Sequence, residues 1–382
     1  MDNLSTSQFT KLRQAFRRPS TRRWGFAAGL LLSVLLISSI ASPKSWLLQP
    51  ASFALVTSPQ ATFSGQWMIE FESGKEKPHL TLNYRSEGNE WHSNNTFDIE
   101  QSRLQGLTQA QVMSGGTNVR FQIQRDAGTL NCEGWFKDGK GSGHWSYSPN
   151  ASFVTELKRM GYDAPDEKQQ FSMTLHEVSL AFVEELKAQG YERPTTEQLV
   201  RAGTHGVSLE YLKGLKSYGY NPQTLEMLIK MRDHGVSLRF IKGWDELGYE
   251  RMPLEQLIRT RDHGVTPDYA REFEALGYGR LPLDQLVKLR DHGVNITFIK
   301  ALEALGYSKL PFEELVKMRD HGVTAEYITS LKQLGYEKLQ PEQLIRMRDH
   351  GVTAEYVRKL KERGVPNLTI EELIKLRDHG IN

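Results

Sequence analysis

The chain has 382 residues, 38% hydrophobic and 25% charged, so it can build two or three cores and is too apolar to be disordered throughout. Its net charge of +2 is uneven: residues 1–23 hold six Lys/Arg (Lys11, Arg13, Arg17, Arg18, Arg22, Arg23) against Asp2, a local +5 that leaves −3 for the rest. With no positive excess over the bulk of the chain, nucleic acid is not an expected partner, and a single cysteine, Cys132, rules out an intramolecular disulfide framework.

Residues 1–23 read as a basic cytoplasmic segment. Residues 24–41 then carry no charge over eighteen positions and are closed by Pro43 and Lys44. At about 1.5 Å per helical residue, that run reaches across a hydrocarbon core of about 30 Å. The expectation is a transmembrane anchor within 24–48, contacting the membrane, with the basic flank cytoplasmic and the bulk of a single-pass protein extracytoplasmic. The alternative is a signal segment cleaved near Ser39-Ile40-Ala41, leaving a secreted or periplasmic protein.

Residues 61–149 change character. Apolar and polar residues alternate along 63–71, 79–84, 119–124 and 143–147, the period of half-buried strands, and turn signals such as Glu87-Gly88-Asn89, Asp126-Ala127-Gly128 and Lys137-Asp138-Gly139 separate them. Five to seven short antiparallel strands follow, as a small sandwich or a curled sheet. Gly65-Gln66-Trp67 is similar to the Gly-x-Trp of lipocalin-like barrels, but a closed eight-stranded barrel needs more chain than these 89 residues supply. Cys132 reads as a small core residue. If this domain holds a ligand or catalytic site, Trp67, Trp91, His92, Trp135, His144 and Trp145 are the side chains to line it.

From residue 150 to 382 the chain repeats. Histidines stand at 176, 205, 234, 263, 292, 321, 350 and 379, a constant interval of 29, and Gly-Tyr recurs with the same period from 161 to 335 before Gly364-Val365. Residues 253–281 show the unit: Pro253 opens a helix with apolar residues at helical spacing, Gly264 ends it, Thr266 caps a second helix with Pro267 at its first position, and Gly277-Tyr278 closes that. Helices of about ten residues are marginal alone, so each must be stabilised by stacking on its neighbours. An all-α, solenoid-like array of 29-residue helix-turn-helix units is expected, starting near Phe153 with no linker and finishing in a half-unit over 370–376.

Arg-Asp-His-Gly recurs intact through the array, and its residues form a candidate structural ladder: Arg232, Asp233 and His234; Arg261, Asp262 and His263; Arg290, Asp291 and His292; Arg319, Asp320 and His321; Arg348, Asp349 and His350. One His per unit lacks the close ligand spacing of a zinc site, and no nucleophile repeats beside it. Neither a metal, a cofactor nor catalytic residues are therefore assigned. Histidine before a helix-ending glycine suits the free carbonyls of the last turn. Arg261 falls between Leu257 and Ile258 on the helical wheel, so each arginine is expected to bury its stem in the apolar stripe and pair an Asp of its own or an adjacent unit.

Residues 315–327, with Leu331 and Leu334-Gly335-Tyr336, resemble repeats in the extracytoplasmic tails of bacterial beta-lactamase-regulator (antirepressor) membrane metallopeptidases. The likeness implies an accessory or sensor-like role in the cell envelope, with an unknown protein partner. Peptidase activity does not carry over, because His176-Glu177 is followed by Val178, Ser179 and Leu180 rather than completing His-Glu-x-x-His. The expected function is a membrane-anchored scaffold or sensor-like interaction module, not an enzyme. The alternative is an exported ligand-binding or enzymatic protein with its site in the strand domain.

Overall fold

The computed structural model describes residues 63–72, 77–86 and 92–381. The segments expected at 1–23 and 24–48 lie outside these, and among the described residues no helix is long and apolar enough to cross a membrane.

Six strands form one antiparallel sheet: β1 (Phe63–Glu70), β2 (His79–Ser86), β3 (His92–Asp98), β4 (Thr117–Arg125), β5 (Gly128–Lys137) and β6 (Lys140–Pro149), in the order β3-β2-β1-β6-β5-β4. Alternation works as expected: Trp67, Leu82, Phe121, Leu130 and Trp145 are buried on one face, while Gln66, Arg120, Glu133 and His144 are turned to solvent on the other. Among the described residues no second sheet covers the apolar face, so of the two expected arrangements the sandwich is not the one that forms. Instead Ile99, Leu104, Leu107 and Val112 from the β3–β4 connection, together with Phe171 and Leu175 from the helical region, close the core. Trp67 is fully buried, and the sheet is open rather than barrel-like, with β3 and β4 as its edges. The Trp67 indole lies over the facing pair Gly134 and Gly143, donating from Nε1 to the His144 carbonyl at 3.1 Å. A Cβ at Gly134 would come within 2.6 Å of that ring, so a glycine is required there to admit the indole.

Sixteen helices of nine residues follow among the described residues, in two alternating kinds. The odd ones are α1 (Ala151–Arg159), α3 (Leu180–Ala188), α5 (Leu209–Ser217), α7 (Leu238–Glu246), α9 (Pro267–Ala275), α11 (Ile296–Ala304), α13 (Ala325–Gln333) and α15 (Ala354–Glu362). The even ones are α2 (Glu167–Leu175), α4 (Thr196–Thr204), α6 (Leu225–Asp233), α8 (Leu254–Asp262), α10 (Leu283–Asp291), α12 (Phe312–Asp320), α14 (Pro341–Asp349) and α16 (Ile370–Asp378). Odd helices open on a Ser, Thr or Asn whose side chain accepts an N–H two or three residues on, as Thr266 does from Tyr269. Pro253 sits at the N-cap, one position before the helix it was expected to begin. Both kinds end on a left-handed residue, a glycine in every case but Glu177 after α2: at Gly264, φ is +66° and the following Val265 N–H reaches back to the Thr260 carbonyl at 2.8 Å.

Odd helices stack on odd and even on even, and one core runs from Phe153 to Ile374. The joint with the sheet is made by α2. Phe171 stacks on Phe63 at 4.3 Å between ring centres and on Trp145 at 5.6 Å. Gln170, buried, donates to the carbonyls of Ala127 and Asn150, and Thr174 bonds the Tyr147 hydroxyl. Residues 170, 171, 174, 175 and 177 all depart from what later units carry at those positions. In each case the departure meets the sheet.

Candidate functional site

The Arg-Asp-His residues sit at the joints between consecutive units, but with partners other than those expected. Each histidine offers Nδ1 to the aspartate of the next unit: His205–Asp233, His234–Asp262, His263–Asp291, His292–Asp320, His321–Asp349 and His350–Asp378, at 2.5 to 2.9 Å. The carboxylates therefore go to imidazoles and not to arginines. His176 has Thr204 at the matching position, and burial, with the nearby Arg125 charge, holds its pKa below the ordinary histidine value. His379 turns Nδ1 to the Lys375 carbonyl of its own helix at 2.7 Å, the arrangement first expected of all of them.

The arginines lie across the joint at the edge of the apolar stripe. Arg232, Arg261, Arg290, Arg319, Arg348 and Arg377 cover the rings of Tyr211, Phe240, Tyr269, Phe298, Tyr327 and Tyr356 respectively, with the guanidinium carbon 4.9 to 5.2 Å from the ring centre. Every ring stands on the odd helix just before the arginine's own, at a constant offset along the chain. The heads also lie close to the glycine that ends the preceding even helix, and one of them bonds it: Arg261 Nε donates to the Gly235 carbonyl at 2.9 Å. A cation supplied by the next unit thus satisfies a carbonyl at the negative end of a helix dipole. A second row does the same for odd helices, Arg251 donating to the Gly219 carbonyl and Arg280 to that of Gly248. Burial raises the phenol pKa of Tyr211, Tyr269 and Tyr327, and the facing arginine opposes it. Those three hydroxyls donate onward to the carbonyls of Val236, Val294 and Val352.

Two sets of contacts were missed in the sequence. One is the ring column under the arginines, whose only signal was its constant offset from them along the chain. The other set is a charge row on the even helices: Arg259–Asp284, Lys288–Glu313 and Arg346–Glu371, at 2.6 to 2.7 Å. A basic column on each even helix and an acidic one in the first turn of the next were its only signal.

Of the strand-domain candidates, Trp67 and Trp145 are core, Trp135 and His144 are exposed on the outer face, and Trp91 and the His92 side chain lie outside the described residues. They do not line one pocket. Cys132 is buried, and burial pushes its thiol up to about 12. A groove of about 970 Å³ opens where sheet meets helices, lined by polar residues including Arg103, Gln124, Asp126 and Glu177. Arg125 lies beside it with its side chain 6% exposed, bonded to the Thr174 carbonyl at 2.6 Å and to Glu177 at 3.0 Å. Desolvation lowers its pKa to about 10, partly offset by Glu177, so it stays charged at neutral pH. Its contacts are those of a clasp holding α2 against β4. Among the described residues no group of three or more His, Cys, Asp or Glu could hold a metal ion. No family model, no curated protein and no solved structure matches this chain.

Proposed function

We propose that the chain is a membrane-anchored, extracytoplasmic scaffold or sensor-like module, whose helices form a solenoid of 29-residue units that binds another protein. The observation that carries this reading is the identity of successive joints. Six in a row are closed by the same imidazole–carboxylate pair and the same arginine–ring stack. Identical joints hold successive units at a constant pitch, which suits recognition of an extended partner better than the irregular constellation that chemistry needs. The resemblance of the units to envelope-facing tails supports the placement, as does the apolar run at 24–41 with its basic flank.

The test is site-specific photocrosslinking in cells with the full chain, the crosslinker placed at Lys242 on an odd helix or at Lys317 on an even one. A discrete adduct from one face, together with protease sensitivity of the helices from outside the inner membrane, is the expected result. No adduct above background from either face would overturn the scaffold, and helices protected from outside protease would overturn the placement.

A further inference from the structure

The two faces of the helical region differ in how their charges are used. On the even helices, acid and base columns face one another across the joints and pair at Arg259–Asp284, Lys288–Glu313 and Arg346–Glu371, beside imidazole–carboxylate pairs such as His263–Asp291. On the odd helices one register position carries Lys213, Lys242, Arg271 and Lys300 in four consecutive units, all exposed, and Arg239 adds a cation one turn before Lys242. Arg271 is paired within its own helix to Asp268, and Lys242 makes a 3.5 Å contact with Glu246. Lys213, Arg239 and Lys300 have no ion-pair partner among the described residues. Exposed cations without partners add nothing to the fold, and they cost some self-repulsion. Their charge is free to meet an acidic ligand.

Spacing narrows the ligand. Stacked helices lie about 8–10 Å apart, so the row repeats one cation per that distance. A polyproline II segment advances about 3.1 Å per residue with three residues per turn, placing every third side chain on one side at a spacing of about 9.3 Å. A cleft of about 400 Å³ opens between units at this level, lined by Arg239, Phe240, Gly243 and Pro267. It has room for a side chain between successive acids. A uniform polyanion fits less well, because Glu210, Glu246 and Asp268 stand on the same face.

We infer that the odd-helix face from Lys213 to Lys300 is the docking surface for an extended acidic protein segment with Asp or Glu at every third position. The inference rests on the scaffold reading and names its partner's chemistry. The probes are synthetic peptides, (Glu-Pro-Ser)6, (Glu-Ser)9 and a helical peptide with Glu at every seventh position, titrated into the full chain. The period-three peptide should bind about tenfold or more tightly than the other two, and its affinity should fall as salt rises. The combined change Lys213→Glu, Arg239→Glu, Lys300→Glu should lower that affinity at least tenfold with little shift of the thermal midpoint, since none of the three side chains makes a hydrogen bond or ion pair among the described residues. Equal binding of all three peptides, tighter binding of the helical one, or an unchanged affinity in the reversed variant would overturn the inference. An adduct in cells that persists in the reversed variant would sink the docking surface alone. Loss of all adducts in the unmodified chain would sink the scaffold as well.

Discussion

At each joint the arginine and the histidine–aspartate pair contribute unequally. Both members of the pair are about 40% exposed, as in His292–Asp320 at 38% and 41%, and exposed pairs contribute about 0 to 1 kcal/mol. The arginine covers a ring, which is worth about 0.5 to 2 kcal/mol, and its head lies close to the glycine that ends the preceding even helix. Arg290→Ala should therefore destabilise the protein by about 2 kcal/mol in urea unfolding, and Asp291→Asn by about 0.5 kcal/mol. Arg290→Lys should fall between them, since an ammonium keeps the charge but not the planar stack. Equal losses for Arg290→Ala and Asp291→Asn would show that the pair carries the joint. The arginine's place near the apolar stripe was legible from its helical-wheel position. Its ring was not, because the ring belongs to another unit.

At the level of elements, α2 is the exceptional helix, because it serves two cores. Phe171 and Leu175 face the sheet while Met173 faces the helices, and Glu177 takes a left-handed φ of +55° where later units have glycine. That strain, on the order of 1 kcal/mol, is offset by the carboxylate reaching Arg125 and Arg103. Removing the plug, Phe171→Ala, should cost about 3–5 kcal/mol and uncouple the two parts. The Trp67 and Trp145 environment should then melt at lower denaturant than the helical circular dichroism. A single coincident transition in that variant would show that the sheet is held by something else.

Across the whole molecule, stability is expected to be nearly a sum over units and joints. Deleting residues 253–281 brings Arg290 to Phe240, Asp291 to His234 and Asp284 to Lys230, all pairings of types already present. The shortened chain should keep its helicity per residue and lose only part of its unfolding free energy. Deleting 253–267, about half a unit, sets an odd-type helix against an even row and should abolish cooperative folding. Equal tolerance of both deletions in circular dichroism melts would mean that the joints do not enforce register. At the far end, Arg363 and Val365 replace the Leu and Tyr that earlier units carry, and both residues are exposed there.

Features that depend on near neighbours were legible in the residues alone: the 29-residue period, two helices per unit, the Ser and Thr caps, the glycine stops, and the strand alternation between residues 63 and 149. These follow from backbone hydrogen bonding and side-chain periodicity within a few residues, so a local reading reaches them. Which columns meet is settled by stacking between units. The arginine finds a ring on the odd helix before its own, the lysine or arginine of an even helix an acid on the next even helix, and the histidine a carboxylate in the following unit. Many columns recur with the same period, and which of them touch is set by the direction and pitch of stacking. The docking of α2 on the open face of the sheet belongs to the same class, since a strand pattern states that one face must be covered but not by what.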